Sequence, residues 1–407
     1  MFTAKNSFVL LAFLTLLLCR QSHAQQVSSP AAAGDDAAAQ LAAYRGELDA
    51  LRREFGGTAD LPDVPFFLFG MGQRTKLLCK AGALIDVASG RTLRSWPVRG
   101  ATIVPPAYSV FLTTTAGAAV RIVEDERAVW IEEQGRRQAV AGTRHAVRLP
   151  SFRGHRYAGI LRVLHQELLF NIISGKPVPN LFVYPKPWYR DGAMTAMCLK
   201  ATGNLDTIRD WVLGLREPYD RNNAGETEAD NLGQALFLIS LVADRQHPLV
   251  EKVLRELPRF EVAGPGGKYL KGRSDFGFHP AYQTKWAKYG LRALGLPDPY
   301  VVPRLQDSYS ALFWMDFRDT YVPGPDAGSS LYPYLNWASD HFHGTKHAPL
   351  GNRDYPLTWE QHAGEANYAG MNVVAPVYAR QRLSVPHTWH AAEMFLYLLA
   401  WDDHPKR

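Results

Sequence analysis

The chain has 407 residues, of which 46% are hydrophobic and 21% are charged, and its formal net charge is +6. This length allows one large domain or two smaller ones, and the composition is that of a globular protein. The basic residues are scattered, and no dense lysine and arginine run is interleaved with aromatics, which argues against a nucleic-acid partner.

The first 24 residues have the pattern of a secretory signal peptide. Lys5 precedes an apolar run over residues 8–18 that is too short to span a bilayer. Ser22-His23-Ala24 places small residues at the two positions that a signal peptidase favours. We therefore predict cleavage after Ala24 and a secreted or periplasmic protein. No later apolar run is long enough to cross a membrane, so we expect no stable membrane insertion.

Residues 25–58 are predicted to be a linker followed by an amphipathic helix. Residues 25–34 are rich in Gln, Ser, Pro, Ala and Gly, which is typical of a linker. Asp35 and Asp36 can then cap a helix that runs to about Phe55. Apolar residues spaced by three and four give this helix one apolar stripe.

Residues 59–150 are predicted to form a small antiparallel β domain of about six strands. The segments "KLLCK", "ALIDV", "YSVFLTT", "AVRIV" and "AVWIEE" are rich in branched and aromatic residues, and "ASGR" and "TAGA" are turn signals. Cys79 lies in this part of the chain and Cys198 in the next, each in an apolar stretch. Two buried thiols and a disulfide between them both fit the sequence.

From His155 the apolar period becomes helical, and residues 151–407 are predicted to be a helical domain. The helical segments include "YAGILRVLHQELLFNII", "GAMTAMCLKA", "DTIRDWVLGL", "ADNLGQALFLISLVA", "AYQTKWAKYGLRAL" and "WHAAEMFLYLLAW". No strand pattern alternates with them, and the glycine-rich "GPGGKYLKGR" is interpreted as a loop. The chain is therefore expected to be mainly α. Long polar and aromatic loops between the helices indicate where a site would form.

A short stretch at the start of one helix, "PKPWYRDGAMTAM", combines aromatic and charged residues. Asp191 is well placed to cap a helix that begins at Gly192, but capping does not explain Trp188, Tyr189 and Arg190 before it. A guanidinium beside a carboxylate forms a paired fork that binds vicinal hydroxyls, and neighbouring aromatic rings stack on sugars. The stretch therefore favours a sugar-binding subsite.

The stretch "WYRDGAMTAMCLKATGN" resembles the Arg-Asp helix start of the six-hairpin, (α/α)6-toroid glycosidase superfamily, which includes glucoamylases and the glucosidase domains of debranching enzymes. The closing "PHTWHAAEMFLYLLA" is similar to the last inner helix of that group. The resemblance implies an (α/α) helical-hairpin toroid over the helical domain. It also implies sugar-contacting residues, namely Trp188, Arg190 and Asp191, and more weakly Trp389, His390 and Glu393.

A glycosidase needs two carboxylates, one protonated acid and one base or nucleophile. In "LTWEQHAGEANYAG" the indole of Trp359 can desolvate Glu360 and raise its pKa, so Glu360 is the predicted general acid, with Glu365 nearby as a substrate contact. The predicted base comes from "GETEADN", with Glu226 slightly ahead of Asp230. Asp230 also suits the cap of the helix that follows it.

The stretch "YPYLNWASDHFHGTKH" adds an aromatic platform and three histidines. Tyr334 and Trp337 can stack on a sugar, and His341 can contact it. The H-x-H-x3-H spacing matches no recognised ligand set, so neither a metal nor another cofactor is predicted. His341, Tyr334 and Arg190 would also suit a polysaccharide lyase, which takes a proton beside a uronate carboxylate.

The sequence thus predicts a secreted glycoside hydrolase that acts on an oligo- or polysaccharide through paired carboxylates, in a toroid preceded by a small β domain. Two alternatives stay open: a lyase on a uronic-acid polymer, and a non-catalytic carbohydrate-binding toroid. The sugar, its linkage, the endo or exo action and the oligomeric state do not follow from these patterns.

Overall fold

A computed structural model of the chain describes residues 30–54, 66–142, 146–182, 184–221, 225–275, 277–305 and 387–400. The predicted signal peptide lies outside these ranges. The interpretable part of the chain is 39% helical and 26% strand, and its strands form five antiparallel sheets. The prediction of a mainly α chain is therefore wrong, and the helices in the described ranges form no evident toroid.

Two antiparallel sheets occupy the first part of the described chain. The first has four strands in chain order: β1 Phe66–Phe69, β2 Leu77–Lys80, β3 Ala83–Asp86 and β4 Thr92–Ser95. The second has five, also in chain order: β5 Val98–Val104, β6 Ser109–Thr114, β7 Ala119–Glu124, β8 Ala128–Glu133 and β9 Arg136–Gly142. All five segments predicted as strands are confirmed, and so are the turns at "ASGR" and "TAGA".

There are more strands here than the predicted six because several carry no apolar pattern. β4 is "TLRS", with three of its four residues exposed, and β9 begins "RRQA", with four exposed residues in succession. These strands pair through backbone hydrogen bonds at the sides of their sheets. The periodicity that reveals a half-buried strand is absent from them.

Eight α-helices lie in the described ranges. They are α1 Pro30–Glu54, α2 Ala158–Phe170, α3 Tyr189–Ala201, α4 Arg209–Leu213, α5 Asp230–Ser240, α6 Pro248–Glu256, α7 Pro280–Ala293 and α8 Thr388–Leu399. α1 begins before the predicted caps, so residues 30–34 are helical rather than linker. Its Glu47 accepts hydrogen bonds from the amides of Gly159 and Ile160, 3.1 and 3.0 Å away. α1 thereby caps the first turn of α2.

Three short hairpins interrupt the part of the chain that was predicted to be helical. They pair β10 Ile172–Ile173 with β11 Lys176–Pro177, β12 Glu261–Gly264 with β13 Gly267–Leu270, and β14 Arg273–Ser274 with β15 Gly277–Phe278. The stretch interpreted as a glycine-rich loop contains the turn between β12 and β13. Gly266 and Gly267 have φ values of +86° and +147° there, which a residue with a side chain rarely adopts.

A buried glutamate joins the two sheets to each other and to α2. Glu124 at the end of β7 accepts hydrogen bonds from the amides of Gly70 and Met71, at 2.8 and 2.7 Å, and pairs with Arg74 at 2.7 Å. Both side chains of the ion pair are fully buried. The same loop donates from the amide of Gly72 to the carbonyl of Leu169 in α2, at 2.8 Å. One continuous apolar core accordingly includes residues of both sheets and of the helices.

The two cysteines in the described ranges are free and buried. Cys79 lies in β2, and Cys198 lies in α3 with its Sγ 3.7 Å from the carbonyl oxygen of Ala392. Of the two sequence-based alternatives, buried thiols are confirmed. Within the same ranges, none of the helices combines the length and the apolar character needed to span a lipid bilayer.

Helices α5 and α7 approach so closely that glycine is required where they touch. A Cβ atom on Gly233 would overlap the backbone of Trp286 and Ala287, and one on Gly290 would lie 2.6 Å from the carbonyl oxygen of Gly233. The neighbours are backbone atoms of packed helices, which cannot rotate away. This packing fixes the position of the first turn of α5 relative to β14 and α7.

We predict opposite effects for two glycine-to-alanine substitutions in helices. Gly233→Ala should lower the free energy of unfolding by at least about 2 kcal/mol, because the added methyl overpacks a helix contact. Gly46→Ala should raise it by up to about 1 kcal/mol. No atom lies within 4 Å of a Cβ at Gly46 in α1. Urea unfolding followed by circular dichroism measures both, and equal effects would contradict the close contact.

Candidate functional site

The first turns of α3, α5 and α8 meet beside the β14–β15 hairpin, which leads into α7. Arg190 in α3 reaches Glu228 and Asp230 at the start of α5. Asp191, the next residue in α3, reaches His387 and Thr388 at the start of α8. We refer to Asp191, Asp220, Glu228 and Asp230, gathered around Arg190, as the carboxylate cluster. The positive ends of the helix dipoles stabilise negative charge at this place.

Asp220 fixes the start of α3 from outside the helix. Its Oδ2 accepts a hydrogen bond from the amide of Tyr189 at 2.5 Å, and Trp188 before it has extended backbone and makes no side-chain cap. The prediction that Asp191 caps the helix is wrong, because α3 begins at Tyr189 and Asp191 is a fully buried residue of its first turn. The Asp191 side chain therefore does not cap α3, and it contacts His387 and Thr388 at the start of α8.

Arg190 is a buried cation shared between two carboxylates. Its Nη1 lies 3.4 Å from Glu228 Oε2 and 3.5 Å from Asp230 Oδ2, and the side chain is 4% exposed. The guanidinium also lies over the ring of Trp389, with its central carbon 5.8 Å from the ring centroid. Breaking such a buried pair leaves uncompensated charge, so Arg190 is needed to keep the acids together.

Asp230 is held in one orientation by neutral donors. Oδ1 accepts from the hydroxyl of Ser274 at 2.6 Å, and Oδ2 accepts from the amide of Gln234 at 2.8 Å. Gln283 in α7 donates to Ser274 in turn, at 2.9 Å. Asp230 makes no side-chain cap of α5, contrary to the cap predicted from the sequence. These bonds and the contact with Arg190 fix the position of the buried Asp230 side chain.

Glu228 combines a fixed position with a raised pKa. Oε1 accepts from the amide of Asp275, and Oε2 faces Arg190. Burial, and then the charge of Asp230, raise the pKa of Glu228 to about 7, against an ordinary value of 4.5. Burial likewise raises the pKa of Asp220 to about 6, although the Tyr189 amide and Arg190 act against it. A carboxyl that is partly protonated at neutral pH is able to donate a proton.

A histidine lies at the partly open side of the cluster. His387 Nδ1 is 2.8 Å from Asp191 Oδ1, and the histidine side chain is 21% exposed while that of Asp191 is fully buried. Its ring lies 5.6 Å from the ring of Tyr184 and 5.8 Å from that of Trp188, between centroids. Two aromatic rings thus pack against the imidazole that contacts Asp191.

Two further titratable groups at this place are kept neutral by burial. His279, the residue before α7, has its pKa lowered chiefly by burial, with the charges of Asp230 and Asp275 acting in the opposite direction. Burial raises the pKa of Tyr282 well above its usual range, and its hydroxyl accepts from Gln234 at 3.2 Å. In the described ranges, no group of three or more His, Cys, Asp and Glu side chains is arranged to hold a metal ion.

The sequence-predicted site residues are only partly brought together. Arg190, Asp191, Asp230 and Trp389 meet in or beside the cluster, and Trp188 borders it. Glu226 does not join it, because its side chain is 44% exposed and pairs with Arg273 at 2.9 Å. The hydroxyl of Tyr189 donates to the carbonyl of Glu217, a residue outside the cluster, at 2.6 Å.

The remaining predicted residues are placed as follows. Glu393 is fully buried in α8, and His390 belongs to the first turns of that helix. Six predicted residues lie outside the described ranges: Tyr334, Trp337, His341, Trp359, Glu360 and Glu365. The roles assigned to them, and the proposed acid role of Glu360, stay predictions.

The site residues predicted from the sequence do not include Glu228, Asp220 or His387. Glu228 lies in "GETEADN", but the prediction selected Glu226 and Asp230 from that segment. Asp220 in "EPYDR" and His387 in "VPHTW" carry no local signal, since each acquires its role from a contact with α3.

We predict that Glu228→Gln stabilises the protein increasingly as pH rises. The pKa of Glu228 in the folded chain lies above its ordinary value, so the folded state binds more protons, and stability falls as pH rises from about 5 through 7. Removing the ionisable group removes this loss. The gain in Tm over wild type should therefore be larger at pH 8 than at pH 5.

Glu226→Gln is the matched control, two residues away and on the surface. Its exposed ion pair should contribute less than about 1 kcal/mol, with a small change in Tm at both pH values. A Glu228→Gln gain that is the same at pH 5 and pH 8 would contradict the raised pKa.

Comparison with known proteins finds no relative of this chain. The chain matches no family model, no curated protein and no solved structure.

Proposed function

We propose that this protein is a glycoside hydrolase in which Glu228 is the general acid. The observation that carries the proposal is a buried carboxyl with a pKa of about 7 beside a second, fixed carboxylate. Protonation of the leaving oxygen requires an acid that still holds its proton near the working pH. Glu228 meets this requirement through burial and through the neighbouring charge of Asp230.

Asp230 is the second carboxylate of the proposed pair. Glu228 Oε2 and Asp230 Oδ2 lie 3.4 and 3.5 Å from the same nitrogen of Arg190, so these two oxygen atoms are at most about 7 Å apart. Asp230 already accepts from two neutral donors and faces Arg190. Its role in the proposal is to stabilise the positive charge that develops on the sugar ring.

The charge of the site favours hydrolysis over elimination. A lyase on a uronic-acid polymer needs a cation to neutralise the substrate carboxylate, and Arg190 is already shared by two protein carboxylates. Adding a third carboxylate would raise the repulsion in a buried place. A neutral sugar ring, stacked on Trp188 and Tyr184 at the edge of the cluster, avoids this cost.

The test is a panel of soluble oligo- and polysaccharides with purified wild type, Glu228→Gln, Glu226→Gln and Glu360→Gln. Reducing ends and the ultraviolet absorbance of unsaturated sugars would be followed together. We expect new reducing ends without absorbance, and a loss of at least about 100-fold in kcat for Glu228→Gln, because a general acid contributes that much or more. Circular dichroism of each variant controls for folding.

The other two variants separate the site-based proposal from the sequence-based one. Glu226→Gln should retain activity, whereas a catalytic base at Glu226 would make it inactive. Loss in Glu360→Gln with Glu228→Gln active would transfer the acid role to Glu360. Absorbance that grows with the reducing ends would replace hydrolysis by elimination.

We predict that kcat/KM falls as pH rises above about 7. Glu228 must be protonated to donate, and its pKa of about 7 places the loss of that proton in this range. The descending limb should be measured between pH 6 and 9 with wild type at saturating and limiting substrate. A plateau that extends unchanged past pH 9 would contradict Glu228 as the acid.

A further inference from the structure

The histidine at the start of α8 has a position that helix capping does not explain. His387 is the residue before α8, with extended backbone, and its side chain makes no capping hydrogen bond. Its Nδ1 instead lies 2.8 Å from Asp191 Oδ1. The contact joins residues 196 positions apart in the sequence and brings the start of α8 against the first turn of α3. The side chain is thus used for the carboxylate and not for its own helix.

The pair has the arrangement of a supported base. The carboxylate is fully buried and the imidazole is partly exposed, so the imidazole is the member of the pair that solvent reaches. A carboxylate at Nδ1 fixes the orientation and the tautomer of a histidine. Any proton that the ring exchanges with a substrate or a water then moves through Nε2.

The groups around the histidine fit proton transfer next to a sugar. Tyr184 and Trp188 pack against the ring from the segment before α3. Asp191 faces it from α3, and the charge of Asp191 in turn acts to raise the pKa of Asp220. Arg190 lies over Trp389, two residues along α8. The imidazole is therefore bordered by aromatic rings on one side and by the carboxylate cluster on the other.

We propose that His387, oriented by Asp191, is the general base that activates water in the hydrolysis. The inference rests on the proposed function. Glu228 gives its proton to the leaving oxygen as the bond from that oxygen to the anomeric carbon breaks. The water oxygen bonds to the anomeric carbon and its proton passes to His387. The imidazolium is stabilised by Asp191 and releases its proton to solvent, and Glu228 takes up a proton from solvent.

The proposal fixes the stereochemical outcome. A water that attacks in one displacement enters opposite the leaving oxygen, so the product first appears with inverted anomeric configuration. Proton NMR of the earliest product, with a substrate found active in the panel, measures this directly. First-formed product with retained configuration would indicate a covalent carboxylate intermediate and would overturn the role of His387.

The mutational test uses His387→Gly, His387→Gln and Asp191→Asn with the same substrate. We expect kcat to fall about 100-fold or more in both histidine variants, with KM little changed. Added imidazole should restore at least tenfold of the activity of His387→Gly. Asp191→Asn should be slow and should not respond to imidazole, because its histidine is present.

His155→Gly is the control for loss of a structural imidazole. That ring contacts the carbonyl of Leu398 at 2.9 Å, toward the other end of α8. The His155→Gly variant should gain nothing from imidazole, even where its Tm falls. A His387→Gln variant with the kcat of wild type, or His387→Gly without rescue, would overturn the inference while leaving Glu228 in place. If wild type cleaves no sugar, the proposed function fails and this role fails with it.

Discussion

The buried guanidinium of Arg190 is the charge on which the carboxylate cluster depends. Three segments each bring an acid to the same place, from the first turn of α3, the start of α5 and the loop before it. Without a cation, acids at this depth would take up protons or separate. One arginine cannot neutralise them all, so the helix N-termini and neutral donors supply the remaining stabilisation. The cluster is stable because its acids are satisfied in different ways.

That difference gives otherwise similar carboxylates different chemistry. Asp230 is surrounded by donors, Asp191 is paired with a histidine, and Glu228 is buried with a neighbouring negative charge. Burial and a neighbouring negative charge favour the protonated form of an acid, and both act on Glu228. When neighbouring acids have different surroundings, their proton affinities can differ, which is a recognised route to an acid and a base in one site. The acids have different surroundings because two successive residues of α3, Arg190 and Asp191, contact different neighbours.

The sequence predicted local structure better than it predicted arrangement. Five strand segments and most helices were evident, because their apolar periods are set by burial on one face. The fold class failed, since the resemblance rested on two short helix starts and the hairpin around Gly266 had no apolar pattern. Arg190, Asp191 and Asp230 were found from their residue types. Glu228 was not selected because its burial distinguishes it from Glu226, and residue spacing does not encode burial. His387 was not selected because its role comes from a contact with a residue 196 positions away.

The two buried thiols, Cys79 and Cys198, can report whether the sheets and the helices unfold together. Burial raises the pKa of Cys79 to about 12 and that of Cys198 well above its usual range, so neither reacts as a thiolate while folded. One thiol sits in a strand and the other in α3. Alkylation of each then requires an opening of its own surroundings. Because the Glu124 contacts and the common core tie sheets to helices, both thiols should become reactive in the same opening event, at the same denaturant concentration.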